Sequence, residues 1–124
     1  MTHRASRPAP DDDVLAEAAR VFALLSTPGR LHLLWILSND EADVTTLTRA
    51  VGGTKAAISQ HLAKLRLAGW IDGRKEGRRV LYRLTDPHII TLVHQAVEHI
   101  LDEHQARQQP PTPRRRPPAR LRQS

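Results

Sequence analysis

Apolar positions recur at helical spacing near the start of the chain, where Val14, Leu15, Ala18, Val21, Phe22 and Leu25 run among and after the acids Asp11, Asp12, Asp13 and Glu17. Acids at that end suit the positive pole of a helix, so the pattern predicts a first helix here. Ser26-Thr27-Pro28-Gly29 resets the chain. Thr27 is a natural N-cap and Pro28 fits the first helical position. Leu31, Leu34, Trp35 and Ile36 then carry a second helix to about Ser38, and Asn39–Asp43 is a polar connection. A short helix is predicted over Val44–Ala50, with Leu47 and Val51 facing inward and Gly52-Gly53 stopping it.

Thr54 can cap the next helix, Lys55 to Ala68, whose apolar stripe is Ala57, Ile58, Leu62, Leu65 and Leu67. Helix, glycine-containing turn, helix is the arrangement of a helix-turn-helix. After Gly69 the period drops to two, and Trp70–Arg74 and Arg78–Leu84 read as strands joined at Lys75-Glu76-Gly77. Such a hairpin directly behind a recognition helix is a wing. Thr85-Asp86-Pro87 restarts a helix that runs from about His88 to His104, with Ile89, Leu92, Val93, Ala96, Val97, Ile100 and Leu101 apolar. Two adjacent faces of that helix are apolar, more than one flank of a small domain needs. A second copy of the chain would cover the surplus. The expected fold is therefore mainly α with a β-hairpin wing, an α+β winged helix-turn-helix dimerising through its first and last helices.

The 124 residues allow one small domain and exclude two. Expected boundaries are a disordered segment over 1–12, a DNA-binding and dimerisation domain over 13–104, and a disordered Arg/Pro-rich tail over 105–124. No apolar run approaches the ~20 residues of a membrane span, and Met1–Pro10 lacks the apolar stretch of a signal peptide, so a cytoplasmic location without a membrane partner is expected. With no cysteine, any metal chemistry must rest on His, Asp and Glu.

The formal charge of +6 hides the informative distribution. Residues 105–124 hold six arginines and no acid, so the surplus belongs to the tail. Residues 1–48 carry 4 basic and 7 acidic side chains, residues 49–83 carry 9 and 2, and residues 84–104 carry none and 4. A local +7 on the helix-turn-helix and hairpin is the electrostatic footprint of a surface for double-stranded DNA. The candidate contacts are Lys55, Ser59, Gln60, His61 and Lys64 on the recognition helix, with Arg74, Lys75, Arg78 and Arg79 in the wing.

His88, His94, His99 and His104 sit among Asp86, Glu98, Asp102 and Glu103. His88 and His99 fall within about 20° of one helical face but ~16 Å apart along the axis, so one helix cannot chelate an ion with both. Two copies packed antiparallel bring His88 of one toward His99 of the other. Asp86 and Asp102 can then close an O/N/N/O set suited to four-coordinate zinc. Asp86 before Pro87 equally fits an N-cap, and His99 with Asp102 an ordinary helical pair. His94 and His104 point away from this face.

Ser26-Thr27-Pro28-Gly29-Arg30-Leu31, Ile58-Ser59-Gln60-His61-Leu62-Ala63-Lys64-Leu65, Ala68-Gly69-Trp70-Ile71 and Gly77-Arg78-Arg79-Val80-Leu81-Tyr82, in this order of elements, resemble the ArsR/SmtB metalloregulatory repressors over roughly Val14 to His104. The resemblance implies a homodimeric repressor, not an enzyme, that binds its operator metal-free and releases it when metal binds. Members sensing zinc through the last helix use Asp-x-His-x10-His-x2-(Glu/His), matched here by Asp86, His88, His99 and Asp102, with Glu103 adjacent as a further candidate. Zn(II) is the metal this implies. Ni(II) or Co(II) stays open, because some nickel sensors of the family add an N-terminal amine and a nearby histidine, which Thr2-His3 could present. Sensors built on a Cys-x-Cys pair have no counterpart in Asp43-Val44-Thr45-Thr46-Leu47. Two competing readings remain, a repressor of this fold that has lost metal sensing, and, ranked low, a hydrolytic metalloenzyme using the interface site.

Overall fold

Asp11 opens the first helix, α1 (Asp12–Leu25), by accepting the Val14 N–H at 2.9 Å. The computed structural model describes residues 7–108. The expected disordered ends, 1–12 and 105–124, therefore lie mostly outside the described residues, although helix replaces disorder at Asp12 and over 105–108. α2 (Pro28–Asn39) starts with Pro28, as expected. Thr27 occupies the cap position without a side-chain bond, and its carbonyl takes the Leu31 N–H at 2.9 Å. Asp43 caps α3 (Val44–Val51) through the Thr46 N–H at 2.8 Å, and Thr54 caps α4 (Lys55–Leu67) through the Ala57 N–H at 3.0 Å. Each such cap satisfies one of the amides that a helix start leaves without an intrahelical partner.

The end of α4 decides how the chain enters the wing. Gly69 adopts φ +80° while its N–H donates to the Arg66 carbonyl at 2.9 Å and the Trp70 N–H donates to the Leu65 carbonyl at 3.1 Å. That pair of bonds is a Schellman motif, with Trp70 and Leu65 both buried beneath it. A Cβ at Gly69 would meet nothing within 4 Å, so the cost of Gly69→Ala is purely conformational. It is expected at about 1–2 kcal/mol, read as a lowered urea midpoint.

β1 (Ile71–Glu76) and β2 (Arg79–Leu84) pair antiparallel from Ile71↔Leu84 to Glu76↔Arg79. The turn is thus Gly77-Arg78, two residues, not the expected Lys75-Glu76-Gly77. Gly77 at φ +65°, with no positive φ at Arg78, supplies the backbone of a tight hairpin with glycine first, and Lys75 and Glu76 stay in register with Val80 and Arg79. Ala42 adds an isolated bridge to the hairpin, exchanging bonds with Tyr82 at 3.1 and 2.9 Å. At the base, the Thr85 N–H donates to the Trp70 carbonyl at 2.9 Å.

The last helix, α5 (Pro87–Gln108), runs four residues past the expected end at His104. Through His94 it belongs to one packed unit, and from Gln95 onward the chain forms a second. The core of the first unit collects Leu33, Leu34 and Leu37 of α2, Leu47 of α3, Ile58, Leu62 and Leu65 of α4, Ile71, Leu81 and Leu84 of the wing, and Ile89 and Val93 of α5. α1 contributes no buried residue. Leu67, expected in the apolar stripe of α4, is 90% exposed. It sits about 180° around the helix from Ile58 and about 140° from Leu62, where the stripe has run out.

Candidate functional site

The exposed surface of α4 carries Lys55, Ser59, Gln60, Lys64 and Arg66. An open groove of about 510 Å³ runs between this helix and the wing, lined by Ser59, Leu62, Ala63, Arg66, Leu67 and Tyr82. Helix and groove together offer amide, hydroxyl and cationic groups beside apolar ones, the mixture that base edges, thymine methyls and phosphates require.

His61, expected on that open face, is half-buried instead. It lies three residues after Ile58 and four before Leu65, so it shares their inward side, a signal present in the spacing. Its Nδ1 faces Arg30 Nε at 3.5 Å, a long contact, while Arg30 Nη1 donates to the Leu24 carbonyl at 3.1 Å. Arg30 is 9% exposed, the one charged side chain buried among the described residues. It thus sits between the end of α1 and the recognition helix, a role that the sequence reading missed.

Burial holds the His61 pKa below its ordinary value, and the charges of Arg30 and Lys64 push the same way. A histidine with a depressed folded pKa binds fewer protons than it does in the unfolded chain, so its share of stability is lost as pH falls from about 6.5 toward the folded value. Urea midpoints are therefore expected to drop through that window in the wild type and to drop less in His61→Gln.

In the wing, Lys75 and Arg78 are exposed and make no ion pair among the described residues. Arg74 and Arg79 are engaged. Arg74 Nε and Nη2 donate to the two oxygens of Glu41 at 3.0 and 2.8 Å, and its Nη1 to Glu76 at 3.0 Å. Arg79 reaches Glu76 at 3.3 Å and Asp43 at 3.6 Å. The bond from Arg74 is the largest cause of the Glu41 carboxyl titrating lower than usual, and the amide bond from Thr46 is the largest cause of the same shift at Asp43.

Along α5, Asp86 Oδ1 accepts the His88 and Ile89 N–H groups at 2.9 and 3.2 Å, and so acts as the N-cap. His88 Nδ1 lies 3.9 Å from the same oxygen, with its side chain 99% exposed. In the second unit His99 Nε2 meets Glu103 Oε2 at 3.3 Å, one turn on. Asp102, the residue expected beside His99, makes no ion pair or hydrogen bond among the described residues. No three His, Asp or Glu side chains converge as a metal site within the described residues of one chain. His3 lies outside the described residues. His94 packs inward, its Nε2 2.9 Å from Ser38 Oγ and its ring 4.7 Å from Trp35. Because that hydroxyl also lies 2.7 Å from the Trp35 carbonyl and has one proton to give, the imidazole Nε2–H is the donor to it. No single helix among the described residues is long and apolar enough to cross a membrane.

The family described as "Bacterial regulatory protein, arsR family" matches residues 27–72. The HTH-type transcriptional regulator KmtR of Mycobacterium tuberculosis is 40% identical over 90 residues, which is 73% of this chain and 68% of that protein. The HTH-type transcriptional regulator NmtR of the same organism is 36% identical over 89 residues, 72% of this chain and 74% of its own length. Among solved structures, the AntR antimony-specific transcriptional repressor superposes with a TM-score of 0.71 at 26% identity, over 81% of this chain and 91% of that one.

Proposed function

This chain belongs to the arsR family of bacterial regulatory proteins and is a DNA-binding transcriptional regulator rather than an enzyme, and on that premise we propose that it is a metal-responsive repressor acting as a homodimer. One observation carries the reading. From Gln95 onward α5 places His99 Nε2 3.3 Å from Glu103 Oε2, a nitrogen and oxygen donor pair of the kind a metal takes, beside the exposed apolar side chains Ile100 and Leu101, 48% and 55% exposed. Such a surface suits a second copy that brings both apolar cover and further ligands. Val14, Leu15 and Phe22 of α1, each more than half exposed, supply the matching apolar area.

The donor chemistry fits Zn(II). Each end of α5 holds a histidine with a carboxylate at hand, Asp86 with His88 and His99 with Glu103. One pair from each subunit makes a four-coordinate N/O set, with Asp102 as the alternative carboxylate to Glu103. Capping occupies only one oxygen of Asp86, and the other stays available. The bound ion would supply a fixed link between the two α5 helices, and Ni(II) or Co(II) would call for added ligands such as His3.

In the DNA-bound state, Lys55, Ser59, Gln60 and Lys64 meet the major groove, and the wing reaches the flanking phosphates. The antimony-specific structural neighbour is consistent with an inorganic inducer and with repression as the direction of control. A repressor without metal sensing remains the alternative. Fluorescence anisotropy on an operator duplex, with and without Zn(II), separates the two. The proposal expects release by zinc in the wild type and unaltered DNA binding without release in His88→Ala/His99→Ala. Affinity indifferent to zinc in the wild type would end it.

A further inference from the structure

Side chains of paired residues in an antiparallel ribbon lie on the same face. The register therefore groups Arg74, Glu76, Arg79 and Leu81 on one side of the wing and Lys75, Val80 and Tyr82 on the other. On the first side the ions form an unbroken alternating chain that runs from Glu41 through Arg74, Glu76 and Arg79 to Asp43. Its two ends, Glu41 and Asp43, flank Ala42, the residue whose backbone is bonded to Tyr82. Asp43 is also the cap of α3. The chain of ions thus encloses the backbone bridge that ties the wing to the first helix of the helix-turn-helix.

Charge and geometry then separate the four cations at the tip of the wing, while the fifth, Arg83, sits at its base opposite Asp72 and near enough to Glu41 to help hold that carboxyl ionised. Three carboxylates against two guanidiniums leave this chain with a net charge of −1, so it offers a phosphate no attraction. Arg74 spends its planar fork on both oxygens of Glu41, which gives the pair directional strength that a lone exposed ion pair lacks. At the tip, Lys75, on the opposite face, and Arg78, in the turn, hold the charge that no carboxylate pairs among the described residues.

We infer that Arg74 and Arg79 are positioning residues, which fix the wing against the α2–α3 connection, and that Lys75 and Arg78 are the wing's phosphate contacts. This rests on the reading of the hairpin as a DNA-contacting wing. Each phosphate contact releases condensed counterions and adds about 0.9 to the slope of log K against log salt. A guanidinium already held by two carboxylates contributes nothing to that slope.

The test is fluorescence anisotropy across a salt series, with the full chain and a duplex selected from a randomised pool by the wild type. Lys75→Gln and Arg78→Gln are expected to lower the slope by about 0.9 per wing for each substitution. Arg74→Lys and Glu41→Gln are expected to weaken binding several-fold with the slope intact, since lysine keeps the charge but cannot form the fork. A direct phosphate contact predicts the reverse, with near wild-type binding for Arg74→Lys and tighter binding for Glu41→Gln as its guanidinium is freed. Either of those results overturns the assignment, as does wild-type affinity in both variants. A slope unmoved by Lys75→Gln and Arg78→Gln overturns the wing contact itself, a separate failure from that of the ionic chain.

Discussion

Phe22→Glu is expected to leave the chain folded but monomeric, with operator affinity reduced by about two to four orders of magnitude as binding through two linked modules becomes binding through one. Phe22 is 60% exposed on a helix with no buried residue, so its replacement removes nothing from the core. In a two-fold dimer each substitution counts twice, and burying a phenylalanine contributes about 1.5–3 kcal/mol. A glutamate placed there adds the cost of burying a charge without a partner. Sedimentation should show a monomer while far-UV circular dichroism stays at the wild-type signal. A dimer with undiminished affinity would show that α1 is not part of the interface.

The second large effect expected is a loss of operator affinity on adding zinc. Linked sites typically couple by about 1–3 kcal/mol, which is roughly 5- to 150-fold in operator affinity, and DNA must weaken zinc binding by the same factor. His99→Ala should remove the response while leaving metal-free DNA binding at wild-type strength, because His99 lies on α5 and not on α4 or the wing. The carboxylates can be told apart in the same assay. Glu103 lies at His99 Nε2, whereas Asp102 is the carboxylate that the resemblance to last-helix zinc sensors implies. Alanine at each in turn shows which one completes the set. Ligand imidazoles must be neutral, so zinc affinity should also fall as the solution is acidified.

Much of this fold is written in local chemistry. Asp43 and Thr54 announce helix starts, and Gly69 a helix end, because each acts on amides within a few residues of itself. The hairpin's existence is equally plain, but its turn starts two residues and ends one residue later than polarity suggests. Lys75 and Glu76 look like loop residues by polarity, and only the positive φ at Gly77 reveals that the turn needs no more than two positions. What the pattern hides is long-range pairing. Arg74 and Glu41 are 33 residues apart, as nearly are Arg30 and His61 at 31, and no periodicity links such partners. A run of arginines therefore reads as a uniform DNA-seeking patch until the carboxylates that occupy two of them come into view. His61 is a different kind of miss. It borders the apolar stripe of α4, and its polar ring suggested a surface role that its flanking Ile58 and Leu65 contradict.

The Schellman turn after α4 has a consequence for what the protein can measure. With Gly69 and Trp70 both bonded back into the last turn of the recognition helix, and Thr85 closing the hairpin base on the Trp70 carbonyl, no slack separates the helix from the wing. If helix and wing meet DNA as proposed, they would act as a caliper of fixed gauge, whose span along a duplex is set by these bonds and not by adjustment on arrival. Operators that differ in the spacing between major-groove bases and flanking backbone would be discriminated by that gauge alone, even where every base contact is preserved.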